Sequence, residues 1–299
     1  MDIAAYDHLL GGGTGFYEQK RGLVAVWGGE AVQFLDGLVT NDVKALVDGG
    51  QMLAAFPNAQ GRLLAVVRVA QQGERFLIET EEATRQKVFE NLHRFTLAGD
   101  FFVEDLSKRY RYLTIFDRSF VPITPPFVEF ETTGATDYFF ENEDFGDIRA
   151  ELKNFNAVEV PDDVYETIRI ESGIPLYGVD MDETTIVPEL GLDGLVAYNK
   201  GCYIGQEIIA RIHFRGHVAK QLTGLMASDA GRGPADFAPG TELTSMDGKN
   251  AGRITSVAFS PKFEKTIALA FVRYDYLAPG TELTLGNATA LVATLPFIQ

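Results

Sequence analysis

The stretch Lys200-Gly-Cys-Tyr-Ile-Gly-Gln-Glu-Ile-Ile-Ala-Arg-Ile-His-Phe-Arg215 decides how this chain is read. It holds the only cysteine, Cys202, between Gly201 and Gly205. Ile208, Ile209 and Ile212 recur at helical spacing, which predicts a short helix beginning near Gly205. Cys202 then lies just ahead of a helix N-terminus and close in sequence to the Lys200 cation. Both features stabilise a thiolate and predict a lowered thiol pKa. The alternative is an inert cysteine buried in a helix-entry turn. Tyr203, Gln206, Glu207 and Arg211 complete the segment, and Glu207 and Arg211 are expected to order the loop around the thiol.

A chain of 299 residues can bury a substantial core and divide into two or three domains. Its apolar runs are too short to span a bilayer as helices, and Met1-Asp-Ile-Ala-Ala-Tyr-Asp7 lacks a basic and then apolar signal segment. A cytoplasmic protein is expected. One cysteine excludes an intramolecular disulfide and a self-contained four-cysteine cluster. The formal charge of −16 repels nucleic acid, so direct nucleic-acid binding is disfavoured. Lys200, Arg211, Arg215 and Lys220 depart from that balance. They suit either a small anionic ligand or a solvated helix face. His213 and His217 stand at i, i+4, but no second cysteine or carboxylate cluster completes a metal site, so none is expected.

Outward from this stretch, Ala31, Phe34, Leu35 and Leu38 mark a helix face. Met52–Phe56 and Leu63–Val69 read as a hairpin across Asn58-Ala-Gln-Gly-Arg62. Thr80 is a candidate cap for a helix from Glu81 to Phe95, and Asp162 begins another. Gly11-Gly-Gly-Thr-Gly15 lacks the leading strand and the Lys-Ser/Thr ending of a phosphate loop. After Gln221 the pattern turns to short strands with Pro-Gly turns, and Ala-Pro-Gly-Thr-Glu-Leu-Thr occurs at both Ala238–Thr244 and Ala278–Thr284. Such a repeat suits a small barrel with internal symmetry.

The octapeptide Lys200–Glu207 resembles the signature K-G-C-Y-x-G-Q-E of the YgfZ-type folate-binding proteins. These are a branch of the superfamily that includes the glycine-cleavage aminomethyltransferase, or T-protein. Phe34–Val43 resembles its F-L-x-G-x-V-T-N-D-V element, Arg169–Asp180 its R-x-E-x-G-x-P-x-Y-G-x-D, and Val187–Leu192 its P-Q-E-x-G-L, with Pro188 one place late. The resemblance implies an α+β, aminomethyltransferase-like folate-binding region of interleaved β-α-β subdomains over residues 1–218. A C-terminal antiparallel β-barrel would follow over 219–299.

It also implies tetrahydrofolate or a one-carbon derivative as cofactor, with Glu189 accepting hydrogen bonds from the pterin edge. Arg62 is either a folate contact or simply a hairpin arginine, and Arg215 is a candidate for the anionic tail. Cys202 would be the essential residue, with Lys200 holding its thiolate. The implied role is that of an accessory factor in assembly or repair of iron–sulfur enzymes, partnered by client or carrier proteins. The stretch Glu79–Lys87 lacks the aspartate that T-proteins carry there, with Glu81 or Glu82 the nearest substitutes, so the reading leans away from an enzyme. The alternatives are a folate-dependent one-carbon transferase and a tRNA-modification factor.

Overall fold

Apolar residues fill Arg21–Trp27 and alternate along Leu63–Gln72, and both segments form strands of one sheet. In a computed structural model, residues 1–97, 99–117, 119–132, 134–229 and 237–298 are described. The chain begins with α1 (Ile3–Leu10), β1 (Gly15–Gln19), β2 (Arg21–Trp27), α2 (Ala31–Asp36), β3 (Gln51–Pro57), β4 (Leu63–Gln72) and β5 (Arg75–Glu81). It continues through α3 (Glu82–His93), β6 (Phe102–Asp105), β7 (Tyr110–Ile115), β8 (Val128–Thr132), β9 (Ala135–Glu141), α4 (Phe145–Asn154) and β10 (Val158–Glu159). Two further helices are α5 (Asp162–Glu171) and α6 (Gln206–Arg215). The remaining strands are β11 (Lys220–Ala227), β12 (Glu242–Ser245), β13 (Asn250–Ser260), β14 (Lys265–Arg273), β15 (Glu282–Leu285) and β16 (Ala288–Ala293).

Two five-stranded sheets form, β3-β4-β5-β2-β6 and β10-β1-β7-β9-β8. Consecutive strands β1 and β2 belong to different sheets, so the β-α-β subdomains interleave as expected. Leu35, Leu38, Val88 and Leu92 bring α2 and α3 onto the first sheet, against Val24, Phe56, Val67 and Ile78. Each such side chain contributes roughly 1.5–3 kcal/mol on burial. Phe145, Ile148 and Leu152 seat α4 on the second sheet in the same way.

The opposite faces of the two sheets meet through Leu23, Ala25 and Leu77 on one side and Tyr112, Phe130 and Phe139 on the other. A charged cluster crosses this contact. Glu79 takes Arg21 on one oxygen and Arg68 on the other (2.8 Å), and Arg68 also donates to Asp137 (2.6 Å) and Tyr112 Oη (2.9 Å). Burial pushes the Glu79 carboxyl up, but the two guanidinium charges outweigh it and hold the group below the usual carboxylate range.

The barrel closes in the order β11-β14-β13-β12-β15-β16. The repeated heptapeptide explains its symmetry. In each copy the threonine N–H donates to the alanine carbonyl, Thr241 to Ala238 and Thr281 to Ala278. The strands that follow pair with each other through Thr244 and Thr284.

The chain forms two units, Met1–Val164 with Asp193–Gln206, and Tyr165–Leu192 with Glu207–Gln299. The sequence suggests one boundary near residue 218, whereas α5 beyond Val164 and the segment to Leu192 join the barrel unit. Arg169 is the reason. Its guanidinium is fully buried and donates to Ile174 O (2.6 Å), Asp180 Oδ2 (2.9 Å) and Ser256 Oγ of β13 (2.9 Å). Asp180 Oδ1 accepts from Thr255 and Ser256 (2.5 and 2.6 Å). The R-x-E-x-G-x-P-x-Y-G-x-D element is thus an ionic clasp between α5, the loop after it and the barrel. Among the described residues, no helix is long and apolar enough to cross a membrane.

Candidate functional site

The turn leaving α2 builds the platform for the signature loop. Thr40 Oγ1 donates to Leu195 O (2.6 Å) and accepts from Ala55 N–H (2.9 Å). Asn41 Nδ2 donates to Leu53 O (2.8 Å) and Gly194 O (2.7 Å), and Ala197 N–H donates to Thr40 O (3.0 Å). The Val-Thr-Asn-Asp-Val turn therefore clamps the segment that leads into Lys200 against β3.

Lys200 has a side chain with 0% exposure. Its ammonium donates to the carbonyls of Asp36 (2.7 Å), Val39 (3.0 Å) and Asn41 (2.6 Å), and pairs with Asp36 Oδ1 at 2.9 Å. The expected role of Lys200 as counter-ion of the Cys202 thiolate is corrected here, because carbonyls and a carboxylate occupy its donors. Burial pushes the Lys200 ammonium below its ordinary value, with Asp36 opposing. Burial also pushes Asp36 up, but hydrogen bonds from Lys200 and Lys44 outweigh it and hold the carboxyl low. These directions pull apart on the charge state of the pair. The geometry decides for the ion pair, since four oxygens around one nitrogen call for an ammonium with all three N–H donors.

Lys200 also lies 5.2 Å from the ring centroid of Tyr203, which is buried and has its hydroxyl pushed up to about 12 by desolvation and by Tyr198. Ile204 N–H donates to Gly37 O (3.1 Å). The loop is pinned on both sides of Cys202, and Cys202 itself is exposed. Cys202 is therefore exposed on a pinned loop and is not buried in the helix-entry turn. Lys44, half-exposed and held on Asp36 at 3.0 Å, lies beside Gly201, where an added Cβ would come 3.8 Å from Nζ.

Gly205 follows from a close approach. Its φ is +80°, and a Cβ there would stand 2.4 Å from the carbonyl oxygen of Asn58 and 3.2 Å from Gly61 Cα. The hairpin tip expected at Asn58–Arg62 is thereby packed against the signature loop. Asn58 Oδ1 caps that tip by accepting from the N–H groups of Gln60 (2.9 Å) and Arg62 (3.0 Å). Arg62 is exposed on it. Gln206 reaches back to Gly201 O at 3.4 Å as α6 starts, one residue after Gly205.

Glu207, Arg211 and Arg215 are exposed on α6. Neither Glu207 nor Arg211 makes a side-chain hydrogen bond or ion pair among the described residues, so the loop-ordering role expected of them falls to Thr40, Asn41 and Lys200 instead. His217 stacks on Tyr274 with centroids 3.7 Å apart, and its Nδ1 lies 2.9 Å from Val218 O.

Glu189 belongs to the other unit, in the tight turn Val187–Leu190. It is buried, and its Oε2 accepts the Ile186 N–H at 3.1 Å, which fixes the carboxylate plane. The turn thus holds a buried, oriented carboxylate, which can accept paired N–H donors. The carboxylates after β5 are engaged otherwise. Glu79 lies in the buried cluster and Glu82 pairs with Arg85 at 3.1 Å. Thr80 stays in β5 and meets Thr84 Oγ1 (2.7 Å), so it is not the cap of α3, which begins after Glu81.

Comparison with known proteins agrees with this architecture. The family description of the glycine cleavage T-protein C-terminal barrel domain matches residues 220–298. The chain is 29% identical over 242 residues to an iron–sulfur cluster assembly factor IBA57 homolog, mitochondrial, of Mycosarcoma maydis, covering 72% of this chain and 57% of that relative. It is 26% identical to an aminomethyltransferase of Bdellovibrio bacteriovorus, covering 95% of this chain and 87% of that one. The crystal structure of glycine cleavage system aminomethyltransferase T from Bartonella henselae superposes with a TM-score of 0.83 at 20% identity, covering 98% of this chain and 89% of the other. Residues 220–298 thus belong to the glycine cleavage T-protein C-terminal barrel family, the chain has the aminomethyltransferase fold, and its relatives include both aminomethyltransferases and an iron–sulfur cluster assembly factor of the IBA57 type.

Proposed function

We propose that this protein is a tetrahydrofolate-binding accessory factor, acting in the cytoplasm, for the assembly or repair of iron–sulfur enzymes. The observation that carries the proposal is the exposed Cys202 on a loop immobilised from both sides by Lys200, Tyr203 and Ile204. A lone thiol on a rigid, solvent-facing loop is built to meet a partner's metal or sulfur atom. It cannot hold a cluster alone, since Cys202 is the only cysteine. The name of the Mycosarcoma maydis relative supports the same role.

Glu189 would hold the pterin edge, with Oε2 already fixed by Ile186, and Arg215, exposed in the same unit, would offer a cation for a folate carboxylate. Bound folate would supply a one-carbon carrier. The chain's own part is to orient the pterin through Glu189 and to present Cys202. Calorimetric titration with tetrahydrofolate tests this. Saturable binding is expected, and Glu189→Ala should weaken it by about one to two decades, the worth of a charge-assisted pair. No binding of any reduced folate would overturn the folate half of the proposal.

A second reading, folate-dependent aminomethyl transfer, is favoured by the coverage of the Bdellovibrio bacteriovorus aminomethyltransferase. The engagement of Glu79 and Glu82 in ion pairs weighs against it. Formation of methylenetetrahydrofolate from an aminomethylated carrier protein, dependent on Glu81 or Glu82, would move it to first place.

A further inference from the structure

A half-open cleft of about 400 Å³ opens between the exit of α2, the hairpin tip and the C-terminal end of α3. That volume lies within the range of small-ligand sites. Its walls are apolar: Leu38, Pro57, Ala59, Leu64 and Ile204. Its polar groups are Asn58, Asn91 and Arg94, and no carboxylate lines it.

Those three groups offer hydrogen-bond donors. The Arg94 guanidinium sits over the Phe95 ring at 4.6 Å and makes no ion pair among the described residues. Asn58 has its carbonyl oxygen filled by the N–H groups of Gln60 and Arg62, which leaves its amide N–H₂ to donate. The Asn91 side chain has no hydrogen-bond partner among the described residues. In a chain of formal charge −16, an apolar cleft that is rimmed by a guanidinium and two amides and lacks an acid selects against cations. We propose that this cleft binds an apolar monocarboxylate, with its hydrocarbon body against Leu38, Leu64 and Ile204. Its carboxylate rests on Arg94 and the asparagine amides. A guanidinium accepts a carboxylate in a paired geometry, and the amides add orientation.

The cleft borders the hairpin tip and the signature loop through Asn58 and Ile204, but none of Cys202, Glu189, Arg62 and Arg215 lines it. The test is calorimetric titration of the full chain with decanoate and, in parallel, with decyltrimethylammonium, each below its micelle concentration. Decanoate is expected to bind saturably at one site and the cation not to bind. Arg94→Glu should lower decanoate affinity roughly tenfold or more by removing the charge-assisted pair. Ala59→Trp should abolish binding by filling the cleft. Arg94 and Ala59 are both exposed, so the melting temperature should hold in each variant and report an intact fold. Equal binding of the two amphiphiles, no saturable decanoate binding, or decanoate binding unchanged in either variant overturns the proposal.

Discussion

Lys200→Met keeps the aliphatic stem and deletes the ammonium that holds the signature loop. The carbonyls of Asp36, Val39 and Asn41 lose a donor at 2.6–3.0 Å, and the Asp36 carboxylate loses its buried partner. Removing one member of a buried ion pair costs about 3–5 kcal/mol. Lys44 remains on Asp36 at 3.0 Å but is 58% exposed, so it relieves the carboxylate in part and the carbonyls not at all. Stranded carbonyls cost about 1–3 kcal/mol each, non-additively within one cluster. The expected loss is therefore about 4 kcal/mol, or roughly 6 °C in melting temperature at about 2.1 cal/mol/K of unfolding entropy per residue over 299 residues. Thermal unfolding by circular dichroism reads it directly. Iodoacetamide alkylation across pH adds a second readout, as Cys202 is the only thiol. A melting temperature within about 1 °C of wild type, with an altered alkylation profile, would refute this assignment and return Lys200 to the thiolate.

Three further outcomes follow from the same contacts. Gly205→Ala places a methyl 2.4 Å from Asn58 O at a positive φ, so it should destabilise by about 1–3 kcal/mol in urea unfolding. Arg169→Met should cost about 3–5 kcal/mol by leaving Asp180 buried and unpaired, while the alkylation profile of Cys202 stays as in wild type. Because the folded-state pKa of Glu79 lies below its unfolded value, the unfolded state binds more protons as acid is added. Its contribution to stability is complete above the unfolded value of about 4.3 and is lost as pH falls through the folded one, so Glu79→Gln should flatten the acid limb of a stability–pH curve.

What could be read in the sequence was local. The start of α6 after Gly205, the β3–β4 hairpin and the paired Pro-Gly turns each rest on residues a few positions apart, where periodicity and turn chemistry are explicit. Cys202 stands out in the sequence because it is the only thiol, and the structure exposes it. Lys200 was found but given the wrong partner. Its acceptors lie 159–164 residues earlier in the chain, and nothing in the spacing of Lys200 and Cys202 reveals them. The motif Phe34–Val43 carried that signal, since a conspicuous Thr-Asn-Asp turn has side chains free to staple a distant segment. The Arg169 clasp was likewise hidden, because its partners Thr255 and Ser256 look like ordinary strand residues until β13 meets Asp180. The interleaved division of the chain depends on that same contact.

Under the proposed function, the signature loop presents the exposed thiol of Cys202 to a partner. Cys202→Ser in cells lacking the protein tests it most directly, with iron–sulfur enzyme activity as the readout. An exposed residue changed from sulfur to oxygen should leave the melting temperature and tetrahydrofolate binding of the purified variant at wild-type values. Enzyme activity should nonetheless fail to recover, although wild-type protein restores it. Full recovery with Cys202→Ser would show that the thiol plays no part in the function.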